Sequence, residues 1–356
     1  MSNIAISDPE KFVTGYAEFK KNGEWYDFSR FFDSQYPAYD REAMFATCSR
    51  EKAGIRLHMV TDAKAISFDV RKGKTKTTPG QFFRMMKIFS SKDKVHKFQT
   101  DENSNRLGLG KEHGECFDFL AGGVLTDSSD RDQGTIRFET GYAGGEPLTL
   151  EIVFPFRKQV EISNVKLEEA SVCMPLGYDG CILFLGDSIT QGENCFHSSG
   201  VWTRLVAVRA GSTWINQGVC GYLFRKESLE GIGALRGRVT EIVCALGTND
   251  WQFSDGKDRE TSLTGMKEYY AELVRIFPDI PIKAVTPFRR MDEKVERTFY
   301  TMDEWRALIA EEVLRYPNVT LVDGQQLMPW DSSYYHDGKI HPNDAGEEYI
   351  ASHFPM

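Results

Sequence analysis

Ahead of residue 178 the apolar positions mostly recur every second residue. Ile55 to Val60 and Ala65 to Val70 alternate apolar and polar side chains, with the turn-prone Thr61-Asp62 between them. The same period returns at Gly134 to Glu139, Leu148 to Phe154 and Val160 to Leu167. A period of two predicts strands with one face buried. Several such strands, separated by Gly, Asp and Pro, predict an antiparallel β-sandwich. Helical periodicity is scarce in this half.

From Cys181 the pattern changes to short unbroken apolar runs separated by amphipathic stretches. That is expected of parallel strands buried on both faces by crossover helices. Strands are predicted at Cys181 to Leu185, Thr213 to Asn216, Glu241 to Leu246, Ile282 to Thr286 and Val319 to Val322. Ser262 to Phe277 carries Leu263, Met266, Tyr270, Leu273, Val274 and Phe277 at helical spacing, and Met302 to Tyr316 repeats the pattern with Trp305, Ile309, Val313 and Tyr316. The joint falls in Pro175-Leu176-Gly177-Tyr178-Asp179-Gly180, giving a sandwich over 1–178 and an α/β domain over 179–356. No internal repeat is evident.

In an open parallel sheet, ligands bind beyond the carboxyl ends of the strands, so the residues directly after each strand matter most. After the first comes Gly186-Asp187-Ser188-Ile189-Thr190, a tight strand-to-helix turn that would expose the Ser188 hydroxyl. After the second comes Asn216-Gln217-Gly218-Val219-Cys220-Gly221, where a glycine lets its backbone N–H approach a ligand closely. The third is followed by Gly247-Thr248-Asn249-Asp250, and beyond the fifth lies His336-Asp337-Gly338-Lys339-Ile340-His341-Pro342-Asn343.

Bulk properties narrow the partners. The chain has 356 residues, 41% of them hydrophobic, enough to give each half its own core. A formal charge of -9 argues against nucleic acid or an anionic membrane as partner, since phosphate affinity comes from clustered Lys and Arg. The local exception runs from Arg71 to Lys97, with Lys72, Lys74, Lys76, Arg84, Lys87, Lys92 and Lys94 against the single acid Asp93; it reads as a solvated hairpin or loop face, with a docking surface as the alternative. The N-terminus has no basic start followed by an apolar stretch, and no window approaches the ~18 apolar residues of a membrane span. A soluble, unexported, cytoplasmic protein is therefore expected. The seven cysteines are scattered and include no C-x-x-C pair, which fits reduced thiols better than a disulfide framework. With seven histidines and no ligand-spaced pairing, neither a zinc site nor any other metal is expected.

At the four strand ends the sequence resembles the SGNH (GDSL-type) hydrolases, whose blocks begin with G-D-S, continue through a glycine and an asparagine, and end in D-x-x-H-P. The order and spacing match over roughly residues 181 to 353. The resemblance implies a flavodoxin-like three-layer α/β/α domain, a carboxylic ester hydrolase activity and no cofactor. Carried over by position, it makes Ser188 the nucleophile and His341 its general base. The backbone amides of Ser188 and Gly221, with the Asn249 side chain, become the oxyanion hole. The chemistry fits: a serine hydroxyl is a weak nucleophile until a base accepts its proton, and imidazole suits that task at neutral pH.

One departure stands out. The family's triad aspartate precedes its histidine by three residues, whereas Asp337 precedes His341 by four. Either the extra residue bulges and Asp337 still reaches the ring, or a backbone carbonyl orients the imidazole and the site is a Ser/His dyad. Plainer roles exist for each residue: Ser188 as a helix cap, His341 as an ordinary residue at the start of a helix, Asn249 and Gly221 as turn residues. Asp187 reads as structural, bonding the backbone of the nucleophile turn, and His197 and His336 as solvated loop residues.

A sandwich ahead of an SGNH domain looks like the carbohydrate acetyl esterases with a jelly roll attached, which implies a jelly-roll-like sandwich, and the segment AGIRLHMVTD loosely resembles the opening strands of that accessory domain. The loops after the strands contribute Trp202, Trp251, Phe253, Phe288, Arg289 and Arg290; Trp251 and Arg289 are the candidate substrate contacts, and the plainer roles are core packing for Trp202 and an exposed loop for the arginines. No long apolar lid is visible. The expected substrate is a short-chain ester, O-acetyl on a sugar or oligosaccharide. A general short-chain esterase or thioesterase and an inactive carbohydrate-binding protein are the alternatives. The sandwich either shapes the cleft or docks a second subunit in a homo-oligomer.

Overall fold

The computed structural model of the chain describes residues 2–73, 114–253, 259–295 and 299–356. The basic run from Lys74 to Lys97 lies outside them; Arg71 and Lys72 end a strand, where Arg71 pairs with Glu161 at 2.5 Å.

Two antiparallel sheets build the N-terminal half. One has the order β3 (Glu18–Asn22), β4 (Trp25–Ser29), β11 (Val160–Ala170), β6 (Ala65–Lys72), β9 (Gly134–Glu139), with β1 (Ser2–Ala5) also on β11. The other has the order β12 (Cys173–Pro175), β5 (Arg56–Thr61), β10 (Leu148–Val153), β7 (Phe117–Ala121), β8 (Val124–Ser129), with β2 (Val13–Thr14) also on β5. Side chains alternate across each strand, so the inner faces meet in one core. Phe138 of β9 stacks on Phe119 of β7 with centroids 4.9 Å apart, and Phe117 meets Phe68 and Phe154 edge-on. Offset and edge-on aromatic pairs of this kind add about 0.5–1.5 kcal/mol each beyond their burial.

The C-terminal half is a parallel sheet of order β14 (Thr213–Gly218), β13 (Cys181–Gly186), β15 (Glu241–Ala245), β16 (Ile282–Val285), β17 (Val319–Val322). Alternate residues of β13 serve opposite faces. Leu183 and Leu185 join Tyr270, Leu273, Trp305 and Ile309 of the helices Arg259–Ile276 and Met302–Val313. Ile182 and Phe184 join Trp202, Val206 and Ile350 of the helices Trp202–Arg209 and Asp344–His353. This is the three-layer α/β/α arrangement, with the strand order reversing at β13, so Ser188 and Asn249 follow neighbouring strands beside the switch point where such sheets bind ligands.

The halves share a buried ionic joint. Glu151 of β10 accepts from Arg56 of β5 at 2.9 Å and from Arg204 of the helix Trp202–Arg209 at 2.5 Å, while the Arg56 guanidinium lies 4.2 Å from the Trp214 ring of β14. Burial opposes ionisation of Glu151, but the two guanidiniums outweigh it and hold its carboxyl down to about 2. Helices are also present where little periodicity was visible: Tyr36–Tyr39 and Ala43–Cys48 lie between β4 and β5 and pack Phe31, Tyr39, Met44 and Phe45 on Val219 and Tyr222.

Candidate active site

Gly186 ends β13 in a turn too tight for a side chain: a Cβ there would lie 2.0 Å from the Thr190 hydroxyl oxygen. Asp187 then caps the four-residue helix Ser188–Gln191, its carboxylate accepting from the Ile189 N–H at 3.0 Å. Burial, opposed by that N–H, pushes the Asp187 carboxyl up to about 6. Ser188 sits at the first helical position, where a backbone N–H has no intrahelical acceptor. It is 4% exposed, more enclosed than the sequence suggested, with the imidazole of His341 in contact with its hydroxyl.

The Ser188 Oγ is 3.0 Å from His341 Nε2, and His341 Nδ1 is 2.8 Å from Asp337 Oδ2. The four-residue spacing is accommodated by a turn wound round the carboxylate. Asp337 Oδ1 accepts from the N–H groups of Lys339 at 2.9 Å, Ile340 at 2.8 Å and His341 at 3.2 Å. Gly338 supplies the left-handed residue at φ +70, and the neck is closed by the His336 N–H to the His341 carbonyl at 2.9 Å. Burial works against the Asp337 anion, yet the His341 ring and the amides of Ile340 and Lys339 prevail and hold its carboxyl well below the usual range.

The second strand end supplies one unengaged donor. Gly218 N–H goes to the Asn216 side chain at 2.9 Å, Val219 N–H to the Gly186 carbonyl at 3.1 Å, Cys220 N–H to Gln191 Oε1 at 2.9 Å and Tyr222 N–H to the Val219 carbonyl at 3.0 Å. Among the described residues the Gly221 N–H has no acceptor. Gly221 has φ +76, which favours glycine, and a Cβ there would lie 2.2 Å from the terminal methyl of Met44 and displace it. Asn249, 5% exposed, gives one amide hydrogen to the Tyr222 carbonyl at 3.1 Å, which ties it beside Gly221 and leaves its other hydrogen available.

The two candidate substrate contacts separate. Trp251 belongs to the core rather than the cleft: it is fully buried and its indole N–H donates to the Tyr300 carbonyl at 2.8 Å. Arg289 is half-buried, with its guanidinium 5.9 Å from the ring of the exposed Trp330. Trp202 and Phe288 pack on each other in the core, and Arg290 is buried against Asp292. His197 is not simply solvated, since Nδ1 lies 3.2 Å from Asp118 of β7; His336 is exposed at the rim. Among the described residues no group of three His, Cys, Asp or Glu side chains forms a metal-binding cluster, no helix is long and apolar enough to cross a membrane, and no disulfide joins the seven cysteines.

Sequence reading missed what the N-terminal half brings here. Arg30 and Glu51 reach Asn216, Gly218 and Gln191, and Met44 covers Gly221. No local pattern marks contacts between residues more than a hundred positions apart.

Residues 184–349 match the model of the GDSL-like lipase/acylhydrolase family. No curated protein sequence matches the chain. Solved structures with a similar fold include the salicylyl-acyltransferase of a tetracycline biosynthetic pathway, at TM-score 0.73 and 18% identity over 98% of this chain and 95% of that one. A family two carbohydrate esterase from Cellvibrio japonicus gives 0.62 and 13% over 98% and 94%. An acetyl xylan esterase from the rumen bacterium Butyrivibrio proteoclasticus gives 0.59 and 11% over 99% and 96%. At these identities the likeness is one of fold, and it extends over both halves.

Proposed function

We propose that this chain, an ester hydrolase whose residues 184–349 belong to the GDSL-like lipase/acylhydrolase family, removes short acyl groups, acetyl foremost, from a carbohydrate. The observation that carries the reading is the unbroken hydrogen-bonded line from Asp337 through His341 to Ser188, at 2.8 and 3.0 Å. In it, His341 Nε2 takes the proton of Ser188 as the hydroxyl attacks the ester carbonyl, and Asp337 fixes the Nδ1–H tautomer and stabilises the imidazolium. The Ser188 and Gly221 N–H groups and the Asn249 amide hold the oxyanion. When the tetrahedral adduct collapses, His341 returns the proton to the departing alcohol. Water then repeats the sequence on the acyl-serine and frees the acid.

A carbohydrate substrate is supported by two of the similar folds being carbohydrate esterases, and a short acyl group by the absence of a long apolar lid between the sequence blocks. The seven cysteines, scattered and free, favour the cytoplasm as its compartment. The test is acetate release from a panel of acetylated mono- and oligosaccharides, beside p-nitrophenyl esters of rising length and an acyl-thioester. Acetyl sugars should be turned over fastest, without inhibition by chelators. Preference for octanoate would overturn the short acyl group, faster thioester cleavage would overturn the carbohydrate substrate, and sugar binding without hydrolysis by the intact chain would overturn the esterase itself.

A further inference from the structure

Arg30 belongs to the sandwich half, is buried, and spends its guanidinium on backbone carbonyls alone. Nη1 donates to Asn216 at 2.7 Å and to Gly218 at 2.8 Å, Nε to Glu51 at 2.7 Å and Nη2 to Cys48 at 2.6 Å. Two of these carbonyls belong to the segment leading to Gly221. A planar fork with five fixed donors can hold several carbonyls at set angles, which an ammonium on a flexible stem cannot. Burial lowers the guanidinium to about 10, so it stays cationic at neutral pH. The same segment is held a second way from the sandwich half: Glu51 accepts from the Gln191 side chain at 2.6 Å, and Gln191 Oε1 accepts the Cys220 N–H. Gln217 completes the grip, donating to the Arg30 carbonyl at 2.6 Å. The bonds at residues 216, 217, 218 and 220 occupy groups just ahead of Gly221, and among the described residues the Gly221 N–H is left without an acceptor.

We infer that Arg30, assisted by Glu51, is a positioning residue for the anion-binding turn: from the sandwich half it fixes the peptide planes of 216–220 so that the Gly221 N–H faces the reacting carbonyl. This rests on the proposed oxyanion hole. It gives the sandwich half a part in turnover rather than only in folding or assembly.

The test is a double-mutant cycle on the full chain, using p-nitrophenyl acetate with Arg30→Lys, Asn249→Ala and the pair, each checked for a native melting transition. Arg30→Lys should lower kcat roughly 10- to 100-fold, with KM changed by less than about twofold and the pH profile unmoved, since the Asp337–His341–Ser188 line is untouched. Asn249→Ala should lower kcat roughly 100- to 1000-fold. The pair should be little worse than Asn249→Ala alone, because both losses fall on the same donor set. A folded Arg30→Lys enzyme with normal kcat, or losses that simply multiply, would overturn the inference. An Asn249→Ala enzyme with full activity would instead remove the oxyanion assignment beneath it. Should Arg30→Lys not fold, Glu51→Ala takes its place in the cycle, with the same two outcomes.

Discussion

Asp337, His341 and Ser188 all come from the parallel-sheet half, and a five-residue turn plus a four-residue helix suffice to present them. The turn that carries Gly221 also begins in that half, yet two of its carbonyls accept from Arg30 of the sandwich half, and its Cys220 N–H donates to Gln191, which in turn donates to Glu51. On the proposed mechanism, the proton-transfer line is built within the parallel-sheet half, whereas the turn proposed to bind the anion is braced by residues of the other half. What the difference teaches is where to look: the proposed part of the sandwich half in turnover runs through the geometry of this turn.

The sharpest test of the local side is Ser188→Ala, expected to lower p-nitrophenyl acetate turnover by at least about 10^4-fold, with His341→Ala equally severe and the double variant no worse. Additive losses would mean that the two do not act as one unit. Asp337→Asn comes next, at roughly 10^2- to 10^4-fold in kcat with KM little changed. A loss below about tenfold would show that the backbone around residues 337–341 orients the imidazole by itself, and that the site works as a dyad.

The smallest effect expected is on stability and concerns the boundary. His58 of β5, 3.4 Å from the Tyr178 hydroxyl, is buried, and burial together with the Arg56 charge pulls its imidazole down to about 3. Its folded pKa lies below its unfolded value near ~6.5, so the unfolded chain takes up the proton first and stability falls as pH drops from about 6.5 towards 3. A His58→Asn variant should lose fewer degrees of melting temperature between pH 7 and pH 5 than the parent chain. Equal losses would show that other groups govern acid stability at this interface.

These contrasts track what the sequence made legible. Unbroken apolar runs located the five parallel strands to within two residues, and the residues following them drew attention to Ser188, Gly221, Asn249 and His341 because that sheet edge is where ligands bind. The alternation at residues 134–139 and 148–154 likewise marked β9 and β10. Missed strands had local causes. β3 is short and carries Lys20 and Lys21, and the hairpin to β4 was signalled only by Asn22-Gly23, with Gly23 at φ +67. The helices Tyr36–Tyr39 and Ala43–Cys48 are too short for a 3.6-residue period to emerge. Trp251 was indistinguishable in sequence from a cleft aromatic: its position after β15 is shared by residues that face the ligand, and only the Tyr300 carbonyl reveals that it turns inward.

The Glu151 joint bears on modularity. Its carboxylate answers to a guanidinium from either side of the chain's midpoint, so neither portion is electrostatically complete by itself. Expressing residues 179–356 alone would strand Arg204 without its acid and bare the indole of Trp214, and stripping one member from a buried charged set of this kind generally costs about 3–5 kcal/mol. Residues 179–356 expressed alone should therefore fold poorly, because the other half supplies the acid for Arg204 and the cover for Trp214.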